Sequence, residues 1–328
     1  MLCLCTRSKK IWRTESNPLR IRDYELFEVT IVGSSGAVPA YGRFPSCQYL
    51  QVENRHFLVD CGEGAQMQLT RFQIPIHKIQ RIFISHLHGD HFLGLMGLLF
   101  SMHLQKRHTE LHLHSFKGLD EIITAHLKYS NSSLNFNIVF HAMKEGSTDV
   151  IFEDDAITVS TIPLYHRIAC SGFLFREKQK PRRINKDRLP HDILIQQIIA
   201  LKEGKDVIDD AGNLLYKNED LTLPPPRSHS YAYCSDTAFN LAITKQIGEV
   251  DLLYHEATFM MEEKKKALET FHSTTVDAAH TAIQANAKQL LIGHFSARYR
   301  DLDPVLKEAQ EIFPNTSLAI EGQTFKIR

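Results

Sequence analysis

Nine consecutive residues constrain this chain more than any other stretch: Phe83-Ile84-Ser85-His86-Leu87-His88-Gly89-Asp90-His91. A short predicted strand, Arg81 to Ile84, runs straight into three histidines and one aspartate within six positions, and an apolar run, Phe92 to Phe100, follows at once. Side chains alternate along a strand, so His86 and His88 can point the same way. Asp90 and His91 come after a turn at Gly89 and can face a second position. Neutral imidazole and carboxylate are good ligands for divalent zinc, and this arrangement suits two metal ions rather than one. The competing reading, a histidine-rich surface loop, fits poorly with a strand on one side and an apolar segment on the other.

The rest of the chain must supply a core that can carry such a site. Its 328 residues, 43% apolar and 23% charged, suit one large soluble α/β domain with an insertion. Formal net charge is zero, so any nucleic-acid contact must come from a local patch. The six cysteines show no spacing of a disulfide framework, and the apolar start Met1 to Cys5 is too short for a signal core or a membrane span. A reducing, cytoplasmic location without membrane attachment is expected.

Residues 1–25 carry six Lys or Arg against three acids and little periodicity, which predicts a flexible basic extension. Ordered structure is expected from residue 26, where Phe27 to Val32 alternates as a strand. Gln48 to Val52 and His56 to Val59 read as a hairpin. Asp60 stands where that hairpin ends, before Cys61-Gly62-Glu63-Gly64, and can orient a metal-bound histidine from behind. A buried helix is predicted over Phe92 to Leu104, and a strand-rich stretch with intervening helices follows. The pattern reads as sheet packed on sheet with helices outside, an αββα sandwich.

One regularity recurs. His86, His166, Asp236, His255 and His294 are all expected just beyond the C-terminal end of an apolar strand, the place where open α/β sheets put ligands. Between the strands before Arg176 and after Ser230 the character changes. Seven Lys or Arg in residues 176–188 face only Glu177 and Asp187, a footprint of phosphate contact that is also common in plain solvated loops. An amphipathic helix over His191 to Lys202 and the run Pro224-Pro225-Pro226 complete an arm, residues 177–229, inserted in the domain of residues 26–328.

His-x-His-x-Asp-His is the signature of the metallo-β-lactamase fold. Within that fold the chain resembles ribonuclease Z, the tRNA 3′ processing endonuclease family. The likeness rests on Val32 to Pro39, Val59 to Gln66, Ser85 to His91, Ser235-Asp236-Thr237, His255 to Phe259, His272-Ser273-Thr274 and Gly293 to Tyr299. It implies an αββα sandwich with a protruding arm, two zinc ions per subunit, precursor tRNA as substrate and a homodimer. It also implies that His86, His88 and His166 hold one zinc, that Asp90, His91 and His294 hold the other, and that Asp236 bridges them. The arm departs from the family in having Leu189-Pro190-His191 where a Gly-Pro pair is common.

Chemistry then assigns roles. Asp90 suits a general base, and His272, oriented by Glu256, suits a general acid for the leaving ribose oxygen. Arg298 can clamp a phosphate through its planar fork, and Arg182 and Arg183 on the arm are expected to meet RNA. The expected product is a tRNA with a 3′ hydroxyl and a trailer with a 5′ phosphate. A small-molecule phosphodiesterase or other hydrolase of the same fold is the alternative, against which the basic arm speaks.

Overall fold

The structure, a computed structural model, describes residues 26–328. The basic extension expected over residues 1–25 lies outside the described residues. The first half of the chain forms β1 (Phe27–Gly33), β2 (Cys47–Val52), β3 (Arg55–Val59), β4 (Arg81–Phe83), β5 (Leu111–Ser115) and β6 (Ile138–Ala142). The second forms β7 (Val150–Glu153), β8 (Ile157–Pro163) and β9 (Ser171–Glu177). The arm follows with β10 (Arg183–Ile184), β11 (Val207–Ile208), β12 (Leu214–Tyr216) and β13 (Thr222–Leu223). Then come β14 (Ser230–Cys234), β15 (Leu252–Glu256), β16 (Gln289–Gly293), β17 (Thr316–Leu318) and β18 (Thr324–Lys326).

Two seven-stranded sheets result, in spatial order β18-β1-β2-β3-β4-β5-β6 and β7-β8-β9-β14-β15-β16-β17. The two share one plan. In each, the first three junctions are antiparallel and the last three parallel. The strand at the change of direction is β3 in one sheet and β14 in the other, and an aspartate follows each within two residues, Asp60 and Asp236. Parallel neighbours need crossover connections, and those crossovers place helices on the outer faces.

The helices are α1 (Ala65–Arg71), α2 (Gly89–Phe92), α3 (Leu95–Leu104), α4 (Leu119–Tyr129), α5 (Ile195–Lys202) and α6 (Asn218–Leu221). After the arm come α7 (Thr244–Ile247), α8 (Lys264–Thr270), α9 (Thr275–Gln284) and α10 (Asp303–Gln310). Period-two alternation separates three cores. Phe27, Val29, Ile31, Phe57 and Phe83 meet Phe173, Phe175, Tyr231 and Tyr254 between the sheets. Leu58, Ile82 and Leu113 face the other way, onto α1, α3 and α4. Leu253, Leu290 and Ile292 likewise face α9 and α10. The rings between the sheets interlock, Phe83 to Phe173 at 5.4 Å and Phe57 to Phe175 at 5.8 Å, so truncating Phe83 to Ala would cost about 3–5 kcal/mol.

Three expectations need correction in detail. The helix predicted over Phe92 to Leu104 breaks at Leu93-Gly94. There the chain passes so close to the turn after β3 that a Cβ on Gly94 would lie 2.0 Å from the Gly62 carbonyl oxygen. The arm helix starts at Ile195 rather than His191, because Pro190 and the turn behind it occupy the first residues. His255 lies inside β15, not beyond it; it is 1% exposed, and its Nδ1 meets the Glu256 carbonyl at 2.7 Å.

The arm leaves β9 and returns on β14, which pair antiparallel with Arg176 opposite Ser230. It has a small core of its own, Leu201, Val207 and Leu221. Among the described residues no helix is long and apolar enough to cross a membrane.

Candidate active site

The seven donor residues and Asp60 follow strand exits at the same end of both sheets, and His272 joins them from the turn between α8 and α9. Three of these exits take the left-handed backbone region without glycine: Asp60 at φ 55°, Asp236 at φ 42° and His294 at φ 59°. Such conformations persist only where the surroundings enforce them, and they cluster at functional sites.

Asp60 is fully buried and receives four hydrogen bonds. Ser85 donates its amide (2.7 Å) and its hydroxyl (2.9 Å), Tyr233 its hydroxyl (2.7 Å), and His91 its Nδ1–H (2.7 Å). The last bond fixes the His91 tautomer and leaves Nε2 bare. That Nε2 is buried without a hydrogen-bond partner. It faces Asp236 Oδ1 at 3.2 Å and Asp90 Oδ2 at 3.4 Å.

His166 and His294 are prepared in the same way. His166 donates Nδ1–H to the Phe271 carbonyl at 3.0 Å. His294 Nδ1 lies 2.8 Å from Thr258 Oγ1, whose own proton goes to Glu256. The free nitrogens then converge in two groups. Nε2 of His86 and Nε2 of His166 each lie 3.1 Å from His88 Nδ1. Nε2 of His294 lies 3.4 Å from Asp90 Oδ2 and 3.1 Å from Asp236 Oδ1. Asp236 belongs to both groups, since its Oδ2 faces His86 and His166 at 3.5 and 3.7 Å. Donor atoms of His86, His88, His166 and Asp236 all lie within 4.8 Å of one another, as do those of Asp90, His91, Asp236 and His294. Two groups of nitrogen and carboxylate donors converging in this way fit a pair of divalent cations.

The electrostatics agree. Burial opposes charge on His91, but Asp236, Asp60 and Asp90 outweigh it and hold the ring well above its ordinary value. Burial also opposes charge on Asp236, yet His294, His91 and His86 draw it well below the carboxylate range. The field at this point calls for positive charge, from protons or from metal. His86 is pushed down to about 4, first by burial and then by His91, so it stays a neutral donor.

Beside these groups lies a third arrangement. His272 Nδ1 is 2.9 Å from Glu256 Oε1, and Glu256 is fully buried. Burial opposes charge on His272, but Glu256 raises the ring to about 9. Its ring stacks on His294 at 5.4 Å between centroids. All three arrangements open into one cavity of about 560 Å³, lined among others by His88, Asp90, His166, Asp236, His272 and His294.

The structure thus brings together all seven residues expected as metal ligands, with Asp60 behind them and the His272–Glu256 pair alongside. It places the arginines differently. Arg298 pairs with Glu263 and lies over the Phe259 ring, 5.1 Å from its centroid. The arginine that lines the cavity is Arg167, exposed and, among the described residues, without an ion pair. On the arm, Arg182 Nε bonds Thr222 Oγ1 at 2.7 Å, while Arg183 is exposed. Sequence reasoning missed Thr258, Tyr233 and the Ala37 amide, which donates to Asp90 Oδ2 at 2.8 Å. Only Thr258 left a signal, as the last residue of His255-Glu256-Ala257-Thr258.

Two facing sheets with helices outside and this donor set at their shared edge define a hydrolase of the metallo-β-lactamase fold. Human tRNase Z, short form, superposes with a TM-score of 0.67 at 27% identity, covering 92% of this chain and 99% of that one. Proteins named ribonuclease Z are 45% identical in Bacteroides fragilis, over 91% of this chain and 98% of that one, and 47% identical in Cytophaga hutchinsonii, over 93% and 96%. Residues 27–183 also match the family model of the anti-Pycsar protein Apyc1. At that identity and coverage, the chain belongs to the ribonuclease Z family.

Proposed function

We propose that this chain is a two-zinc endoribonuclease that removes the 3′ trailer from precursor tRNA. The observation that carries the reading is the sharing of Asp236 by two donor groups in one cavity with the His272–Glu256 pair. His86, His88, His166 and Asp236 would hold one ion, and Asp90, His91, His294 and Asp236 the other. Bound there, the two ions would supply Lewis acidity for the phosphoryl oxygens and a hydroxide nucleophile at neutral pH.

The chain's own groups do the rest. Asp90, held by the Ala37 amide, would take the proton that the attacking water gives up on becoming hydroxide. His272, held protonated by Glu256, donates to the departing ribose 3′ oxygen. The tRNA then keeps a 3′ hydroxyl and the trailer a 5′ phosphate. Arg167 stands at the cavity mouth as a cation for a neighbouring phosphate.

The arm's basic run divides by structure. Lys178 pairs with Glu153 at 2.6 Å and Lys180 with Glu177 at 2.9 Å, and Arg176 and Arg182 hold backbone and threonine oxygens. Arg183, Lys186 and Arg188 are exposed and, among the described residues, form no ion pair. These three are the candidates for RNA phosphate. The same reading carries a homodimer, in which one subunit's arm grips tRNA bound to the other, and a cytoplasmic location.

The test is to map the cut on a precursor tRNA with a 3′ trailer, with metal analysis, for the whole chain and for one lacking Lys178 to Ser228. The arm's ends meet, with the Glu177 amide bonded to the His229 carbonyl at 2.9 Å, so a short linker closes the gap. Deletion should weaken RNA binding and flatten its salt dependence, while hydrolysis of a chromogenic phosphodiester survives. A whole chain that cleaved only the small ester would overturn the tRNA reading.

A further inference from the structure

The carbonyl that orients His166 belongs to Phe271, and Phe271 is itself an anomaly. It ends α8 in the left-handed region at φ 59°, a place that helix ends ordinarily give to glycine. An aromatic residue there is an outlier that its surroundings must hold in place. Its ring meets Tyr165, 58% exposed, edge to face, with centroids 5.6 Å apart and an interplanar angle of 64°.

Tyr165 immediately precedes His166, and its backbone is tied down at both ends. Its amide donates to Thr237 Oγ1 at 3.1 Å, and its carbonyl accepts from the Ala238 amide at 2.8 Å. Thr237 follows Asp236, and its amide donates to Glu256 Oε1 at 2.7 Å. On the other side, the turn at Phe271 directs His272 so that its amide reaches the Ala267 carbonyl at 2.8 Å and its ring reaches Glu256. One left-handed residue therefore aims a carbonyl at His166 and starts the segment that carries His272.

We propose that Tyr165 and Phe271 form a positioning clamp that sets the His166 and His272 rings together, through a single backbone turn. Neither residue is a metal donor and neither touches the reacting atoms. Phe271 acts by fixing the His166 ring with Nε2 toward His88, and Tyr165 acts by holding Phe271 in its unfavourable conformation. The inference rests on the two-metal reading above.

The test compares Tyr165→Ala, Phe271→Gly, their combination and the conservative Tyr165→Phe. Four quantities are read: melting temperature, metal retained against a chelator, single-turnover rate at saturating precursor tRNA, and KM. Glycine accepts φ 59° without strain, so Phe271→Gly should melt no lower than the parent. It should also hold both ions and its rate as the parent does, because the turn then needs no clamp. Tyr165→Ala leaves the strain without its hold, so it should give up one of two ions to the chelator about tenfold more readily, within the range for lost ligand orientation. Its saturated rate should fall about as far, with KM unchanged. In the double variant glycine should restore metal and rate toward the parent, and Tyr165→Phe should match the parent. If Tyr165→Ala keeps its metal and its rate, Phe271 is an ordinary helix stop and the clamp is wrong. If glycine does not rescue Tyr165→Ala, the residues do not act as one unit, and the proposal fails equally. A parent protein holding fewer than two ions would instead undo the two-metal reading, and the clamp with it.

Discussion

Asp60 and Asp236 occupy the same place in the two halves of the molecule and do opposite things there. Each follows the strand at which its sheet changes from antiparallel to parallel, and each is buried in a left-handed conformation. Around Asp60 the neighbours present hydrogens: an amide, two hydroxyls and an Nδ1–H. Around Asp236 a single hydroxyl donates, Ser235 Oγ to Oδ1 at 2.9 Å, and the histidines present lone pairs, because His91, His166 and His294 each direct their other ring nitrogen to Asp60, Phe271 or Thr258. A carboxylate filled with donors is an anchor, whereas one facing mostly bare nitrogens is arranged to share a cation with them. Position sets where the carboxylate goes, and the tautomers of the neighbouring rings set what it does.

The largest effect should come from Asp236→Ala. The variant should lose or weaken both ions and all measurable cleavage, as read by metal analysis and single-turnover assays. Two tightly held ions with full activity would show that Asp236 is not shared, and the contrast with Asp60 would disappear.

His272→Ala comes next. It removes a proton donor outside both donor groups, so metal content and RNA affinity should persist while the single-turnover rate falls by about 10²–10⁴-fold. A substrate with sulfur in place of the departing 3′ oxygen, which leaves as a thiolate and needs no proton, should recover much of the loss. A fall in metal content instead would move His272 into the ligand set, beside Glu256 and His294.

Asp60→Ala should act mainly on folding. Removing a buried acceptor from four donors should destabilise the chain by about 3–5 kcal/mol. Metal affinity should fall by about 10–100-fold as His91 loses its orientation. Denaturant unfolding and chelator competition measure the two separately. An equal loss of both ions, as in Asp236→Ala, would erase the distinction between anchor and ligand.

This contrast also explains what was legible in the chain itself. The first half packs His86, His88, Asp90 and His91 into one exit of one strand, a local cluster that no other feature masks. The second half delivers His166, Asp236 and His294 one at a time from separate exits, visible only once strands were predicted and each end inspected, and His272 from the turn between two helices. That inspection overreached at His255, because β15 runs two residues longer than its apolar run and turns the ring toward the helices. The break at Gly94 was hidden because the constraint is a backbone 32 positions earlier in the chain, at Gly62. Arg298 read as a free cation because Glu263, its partner, lies on a different element.

The smallest effect tests the halves at their far parallel edges. On β16 and β17 the paired residues include Leu291 and Ser317, but on β5 and β6 they include His114 and His141. His114 is 1% exposed and stacks between Phe83 at 4.7 Å and His141 at 4.3 Å, with His112 and Arg81 alongside. Burial, then His141, Arg81 and His112, push it down to about 3. The folded state therefore binds fewer protons than the unfolded chain, where histidine titrates near 6.5. Stability from this group is complete above about pH 6.5 and is lost progressively as pH falls toward 3, amounting to about 2 kcal/mol by pH 5. His114→Phe keeps the stacking shape and removes the titration, so unfolding free energy measured from pH 7 to pH 5 should fall less steeply than in the parent. An unchanged slope would mean that the imidazole is not held neutral by its neighbours, and that the two far edges, one imidazole and one aliphatic, are equivalent in acid.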